Sequence, residues 1–237
     1  MNIAKGGGFL RPKVKICGLT RAEDVQICFK YGADILGFVT EYIRPVPWNL
    51  DAQSAKKLIL DFSGMAETCS DVSRVAETCI VTGGPPDKVI RLAEEIQPDY
   101  IQLHGGEPLA WTSRMIDELK HFGIKVIKTL FPDTPDLEKT AAQFCAVGVY
   151  ALLFDPRTPD HPEKGGHADL SLFMRLQSAA DCPVILAGGI NPENVAGIVL
   201  KTEARMIDLM TGVECRYGVK DEEKVKALFR ALGAVTK

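Results

Sequence analysis

The chain has 237 residues, 46% of them hydrophobic and 25% charged, with a net charge of −3. That size and composition suit one large α/β domain with an ample core and argue against a second domain. The slightly acidic balance excludes a basic footprint for nucleic acid or an anionic membrane, and apolar runs such as "ADILGFV" and "YALLF" are too short to span a bilayer.

The opening "MNIAKGGGFLRP" has no long apolar stretch, so a secretory signal is not expected, and residues 1–12 read as a flexible glycine-rich lead. Over residues 13–237, short β-branched runs alternate with amphipathic stretches. "VKICG" reads as strand one and "RAEDVQICFKYG" as a helix that stops at Gly32. "DILGFV" is strand two, with a helix from near Asp51. "TCIVTGG" precedes a helix opened by Pro85 and Pro86, a favoured start residue. "DYIQLHG" leads into "EPLAWTSRMIDELKHFG", closed by glycine. "KVIKTLF", "YALLFD", "PVILAGG" and "MIDLMTG" complete the strands, with helices from about Asp136, Leu170, Pro192 and Asp221. Eight strand–helix units with right-handed crossovers predict a single-domain (β/α)8 barrel with a parallel core. An open doubly wound sheet would need fewer units or an edge strand without its helix. Two pieces break the rhythm, "TEYIRPVPWNL" after strand two and "SGMAETCSDVSRVAETC" before strand three; two copies of "AETC" do not make a repeat.

The cysteines, at 17, 28, 69, 79, 145, 182 and 215, are odd in number and lack C-x-x-C spacing. That argues against a zinc site and against a disulfide framework, and a reducing cytoplasm is the default compartment. His104, His121, His161 and His167 show no ligand spacing, so no metal is expected. His104 falls at the end of strand four, where it can line the mouth, but a satisfied structural role is the favoured reading.

The strand ends are where chemistry concentrates. Cys17-Gly18, His104-Gly105-Gly106, Asp155, Gly188-Gly189 and Thr211-Gly212 all fall at carboxyl ends, which converge on one mouth in a barrel. Glycines in "LAGGINPEN" and "MTGVE" let backbone N–H groups approach an anion, as a phosphate site requires; the plainer reading is that they permit tight turns. Cys17 is a base or nucleophile if its pKa falls from about 8.5, or else a small buried hydrophobe. Asp155 is an acid with a raised pKa, or a helix cap and loop anchor. Strand alternation puts Lys15 on the face of Cys17 and Asp208 on that of Met210. Barrel closure makes strand eight the neighbour of strand one, so an interior Lys15–Asp208 ion pair is expected.

Taken together, "KICGLTRAEDV", "GADILGFV", "IQLHGGE", "LLFDP", "GGH", "LAGGINPENV" and "GVE" resemble the phosphoribosylanthranilate isomerase family over roughly residues 13–232. The resemblance implies a (β/α)8 enzyme of tryptophan biosynthesis that performs a cofactor-free Amadori rearrangement on a phosphorylated small molecule. It puts the general base on Cys17, the general acid on Asp155, and the phosphate amides on Gly188, Gly189, Thr211 and Gly212. Gln102 and Asp208 join the substrate-binding set. Where the family carries a short "SPR", this chain has "TEYIRPVPWNL". Arg44 is the nearest arginine for the anthranilate carboxylate and Trp48 the nearest cover for its ring, although neither matches the motif position. The family's "GGSG" after strand six reads "GGHA" here. A monomer or homodimer in the cytoplasm is expected. Two other readings stay open: a related isomerase of another phosphorylated amino-sugar, and a non-catalytic phosphate-binding barrel.

Overall fold

The computed structural model describes residues 10–68, 75–157 and 166–235. The expected lead as far as residue 9, residues 69–74 of the second irregular piece (Cys69 among them) and His161 lie outside the described residues. In chain order the elements are β1 (Lys13–Ile16), α1 (Ala22–Tyr31), β2 (Ile35–Val39), α2 (Ala52–Thr68), β3 (Glu77–Thr82), α3 (Pro86–Ile96), β4 (Tyr100–Leu103) and α4 (Leu109–Leu119). They continue with β5 (Lys125–Leu130), α5 (Leu137–Ala146), β6 (Ala151–Phe154), α6 (Leu170–Ala179), β7 (Val184–Ala187), α7 (Val195–Thr202) and β8 (Met206–Leu209). A short hairpin, β9 (Glu214–Arg216) with β10 (Val219–Lys220), precedes α8 (Glu222–Val235).

Strands β1 to β8 are parallel and close into a barrel, as the alternation predicts. The seam is β1 against β8, with Lys15 opposite Asp208. The helices form where the apolar stripe recurs at helical spacing: α3 starts on the Pro85-Pro86 pair and buries Val89, Leu92, Ala93 and Ile96 on one face. Helix α1 ends at Gly32, whose φ of 126° turns the chain while its N–H bonds the Cys28 carbonyl. Helix α7 begins at Val195 rather than Pro192, because the Asn191 side chain takes the N–H groups of Glu193 and Asn194 into a turn.

Two apolar layers result. One fills the space between the barrel and its helices, and includes Ile16, Leu36, Phe38 and Phe154. The other fills the barrel itself with the alternate residues, among them Ile35, Cys79, Tyr100, Ile127, Leu153 and Ile185. The β9–β10 hairpin, which the periodicity did not suggest, fastens the mouth. Lys220 Nζ donates to the Cys17 carbonyl at 2.7 Å, the Met210 carbonyl at 3.3 Å and Glu214 Oε1 at 2.7 Å, and Trp48 Nε1 donates to the same Glu214 oxygen at 2.9 Å. The ends of β1 and β8 and the loop after β2 are thereby held as one unit.

One expectation is corrected. Cys145, in the last turn of α5, and Cys182, just before β7, form a disulfide with Cα atoms 5.7 Å apart. They lie far apart in sequence and meet because their elements are neighbours around the barrel, which local spacing does not register. Cys17, Cys28, Cys79 and Cys215 are free.

Candidate active site

The barrel interior supplies the floor of the site. Lys15 and Asp208, both buried, meet at 3.0 Å from Nζ to Oδ1, as alternation and closure predict. Burial alone would depress the Lys15 ammonium, but Asp208, and then Cys17, hold it above the ordinary lysine range. Burial pushes the Asp208 carboxyl up against the pull of Lys15. An ammonium without its carboxylate would be costly at this depth, so each charge keeps the other in place.

Above that pair, at the carboxyl end of β1, sits Cys17. It borders a cavity with Val39, Tyr42, Val46, Trp48, Val81, Gln102, His104, Arg157, Asp208 and Met210. Its lining has the mixed apolar–polar character of a small-molecule site. The sequence reading required the thiol pKa to fall. The structure shows the opposite direction: burial raises it, and the adjacent Lys15 ammonium opposes the rise without cancelling it.

Asp155 follows β6 and is fully buried. Arg157 grips it on both oxygens: Nε donates to Oδ1 at 3.0 Å and Nη2 to Oδ2 at 2.8 Å, while the Arg157 backbone N–H donates to Oδ1 at 2.9 Å. Burial would lift this carboxyl, but Arg157 and then His104 bring it below the usual aspartate value. Of the two roles the sequence leaves open, an acid with a raised pKa or a loop anchor, this conformation fits the second: Asp155 is an ionised carboxylate that anchors its own loop.

His104, after β4, stands on the other side of Asp155, with Nε2 3.9 Å from Oδ2. Its Nδ1 lies 3.2 Å from Gln102 Nε2 and 3.1 Å from Thr129 Oγ1. An amide nitrogen can only donate, so Nδ1 accepts and Nε2 carries the hydrogen. Burial pushes the His104 pKa down to about 4 despite the nearby Asp155 carboxylate, so the ring is neutral near pH 7. The Tyr42 hydroxyl donates to the His104 carbonyl at 3.0 Å. Gln102 Oε1 is buried without a hydrogen-bond partner among the described residues, an unusual condition for an interior amide.

A second cavity adjoins the first and is bordered by Gly188, Gly189, Ile190, Thr211 and Gly212 together with Arg157, Asp208 and Met210. Gly188 and Gly189 adopt φ of 98° and 70°, which turns successive backbone groups toward the cavity at no steric cost. Gly212 is required for a different reason: a Cβ there would overlap the Ile190 carbonyl oxygen. The two glycine loops touch, and no side chain fits between them.

Nearly all the residues expected at the mouth thus converge: Cys17, Gln102 and Asp208 on the first cavity, Gly188, Gly189, Thr211, Gly212 and again Asp208 on the second, with Asp155 reaching both through Arg157. Arg44 does not join them. It is exposed and borders neither cavity, because "IRPVP" runs over the rim before Trp48 turns in. Trp48 does line the first cavity and is buried. Sequence reasoning missed Arg157, whose signal was a basic residue two places after a strand-end carboxylate. It also treated His104 as structural, although it lines the cavity. Among the described residues, no cluster of three or more His, Cys, Asp or Glu side chains could hold a metal ion, and no helix is long and apolar enough to cross a membrane.

This arrangement has counterparts. A family model described as N-(5'phosphoribosyl)anthranilate (PRA) isomerase matches residues 14–231. The N-(5'-phosphoribosyl)anthranilate isomerase of Methanopyrus kandleri is 33% identical, over 94% of this chain and 99% of its own length. That of Rhodospirillum rubrum is 35% identical over 92% of this chain and 96% of its own. The solved phosphoribosyl anthranilate isomerase from Thermus thermophilus matches with a TM-score of 0.74 at 32% identity, covering 94% of this chain and 98% of its own. A barrel with these strand-end residues, matched along almost its whole length, belongs to the N-(5'-phosphoribosyl)anthranilate isomerase family.

Proposed function

We propose that the chain catalyses the Amadori rearrangement of N-(5-phosphoribosyl)anthranilate to 1-(2-carboxyphenylamino)-1-deoxyribulose 5-phosphate, the isomerase step of tryptophan biosynthesis. The observation that carries this reading is the pair of adjoining cavities. One is lined by glycine loops of phosphate-site type, and the other is apolar enough for an aromatic ring and bordered by the Cys17 thiol and by Arg157, behind which the Asp155 carboxylate lies. The phosphate rests on the amides around Gly188, Gly189, Thr211 and Gly212. The aromatic ring lies against Trp48, Val39 and Met210.

Two proton transfers complete the reaction. Asp155, once protonated, donates to the ribose ring oxygen, and the C1–O bond breaks as the anilino nitrogen lone pair forms the Schiff base. Cys17, as thiolate, then removes the proton from sugar C2, and the electron pair of that C–H bond moves to form the enolamine, which tautomerises to the ketone. A thiol whose pKa burial has raised is scarce as thiolate but strongly basic when formed, and Lys15 beside it stabilises the charge. Each transfer contributes about 10²–10⁴ in rate. No cofactor enters the scheme.

The phosphate and carboxylate of this substrate keep it from crossing bilayers, so we place the chain in the cytoplasm, as a monomer or homodimer. Incubating the purified chain with phosphoribosylanthranilate and following the loss of the substrate's fluorescence tests the reading. Turnover that saturates with substrate supports it; absence of turnover at high enzyme concentration refutes it.

A further inference from the structure

The scheme above asks Asp155 to give up a proton, yet Asp155 is held as a carboxylate by two guanidinium nitrogens and one backbone N–H. The group that holds it is also the cation the apolar cavity offers: among its lining residues Arg157 carries a permanent positive charge, and His104 is neutral. The side chain of Arg157 is 16% exposed, so it is reachable from the cavity, whereas Asp155 beneath it is not exposed at all. The bonds to Asp155 use Nε and Nη2, which leaves Nη1 outside that chelate. The residue expected to meet the substrate's carboxylate, Arg44, is exposed and borders neither cavity, although Tyr42 and Val46 on either side of it line the first.

We infer that Arg157 receives the aromatic carboxylate of the substrate and, in turning to it, releases Asp155 to take up a proton, so that the substrate's own anion arms the general acid. The inference rests on the proposed isomerase reading. A guanidinium presents a planar fork that suits one carboxylate at a time in bidentate fashion. A substrate carboxylate entering beside Trp48 therefore competes with Asp155 for it. Once the guanidinium swings, burial acts on Asp155 without its counter-charge and favours the neutral carboxyl. The proton comes from solvent on binding and passes to the ribose ring oxygen in the first chemical step. Other titratable groups face this pair: His104 from the end of β4, Asp208 from β8, Cys17 from β1, and Tyr42 from the loop after β2. Glu107 and Lys128 act on His104 from behind.

The test compares phosphoribosylanthranilate with its aniline counterpart, which lacks the carboxylate, and measures proton uptake on binding the reduced ketose product by calorimetry in buffers of different ionisation heat. The wild-type chain is expected to prefer the carboxylate-bearing substrate by roughly 100-fold in kcat/KM and to take up about one proton per bound product analogue near pH 7.5. Arg157→Met should reduce the preference to within about threefold and abolish the uptake, and because Arg157 also borders the phosphate cavity, ribulose 5-phosphate, which carries no carboxylate, should lose affinity as well, but less than the reduced ketose product does. Arg157→Lys, which keeps a charge without the fork, should retain part of the preference, and it covers the case in which the methionine variant fails to fold. Asp155→Asn should bind the analogue with no uptake. Equal use of both substrates by the wild-type chain, or a preference that survives Arg157→Met, overturns the inference alone. Uptake that survives Asp155→Asn and vanishes in His104→Gln assigns the proton to the histidine and likewise overturns it. A chain that turns over neither substrate overturns both the inference and the proposed function.

Discussion

At the amino end of the barrel, Lys13, Glu77, Tyr100 and Lys125 close on one another. Tyr100 donates to Glu77 Oε1 at 2.8 Å, Lys125 reaches the same oxygen at 3.3 Å, and Lys13 bonds both Glu77 and Tyr100. The Glu77 pKa falls, since these partners outweigh its partial burial. The carboxyl end is equally polar but does not close in this way. Cys17 is buried with its pKa raised, His104 is pushed down to about 4, Gln102 Oε1 lacks a partner among the described residues, and Asp155 depends on an arginine that also borders both cavities. Polar groups that satisfy one another make structure; those left with perturbed protonation and spare valence are where a ligand finds work to do.

The largest expected effect comes from removing the proton-transfer groups at the open end. Cys17→Ala and Asp155→Ala should each lower kcat by about 10²–10⁴, while calorimetry finds the affinity for the reduced product changed by only a few-fold. Near-normal kcat in both variants would mean that the perturbed groups at the mouth do no chemistry. Next in size is the floor. Lys15→Met leaves Asp208 buried without its partner and should cost about 3–5 kcal/mol in denaturant unfolding, whereas a cost below about 1 kcal/mol would show the pair to be solvated.

Gly212→Ala drives a methyl group into the Ile190 carbonyl and must part the two glycine loops. A misplacement of the phosphate cradle on that scale should raise KM by up to about 100-fold, with kcat less affected; an unchanged KM would remove this loop from the phosphate site. The smallest effects separate the two ends by pH. His104 has a folded pKa below its ordinary value, so the unfolded chain binds the extra proton first and stability falls as pH drops from about 6.5 toward 4. His104→Gln should flatten that slope. Glu77, also depressed, contributes stability at neutral pH that is lost as pH falls through its folded pKa. Glu77→Gln should cost about 1 kcal/mol or less and leave kinetics untouched. A kinetic defect in Glu77→Gln would erase the distinction between the two ends.

The barrel was legible because its signals are local and repeated: β-branched runs, proline at helix starts, and glycine stops such as Gly32. The Lys15–Asp208 pair was legible because parity along two strands plus closure brings both side chains to one register. What could not be read depends on how separate loops approach each other. The β9–β10 hairpin is too short to show a period. Cys145 and Cys182 meet only once α5 and β7 are neighbours. Arg44 and Arg157 are both arginines in irregular segments after strands, and no spacing says which one turns inward. The directions of the Cys17 and Asp155 shifts stayed open in the sequence for the same reason. A pKa is set by depth and by the partner across the cavity, and the partner of Asp155 was the residue not foreseen.

The most direct test is a structure of the chain with the reduced ketose product bound. The account predicts the phosphate between the two glycine loops, Cys17 Sγ within about 3.5 Å of the sugar C2, and an Asp155 oxygen within hydrogen-bond reach of the oxygen that closed the ribose ring. A ligand seated with Cys17 and Asp155 on the same side of the sugar, or with either turned away from it, would contradict the account.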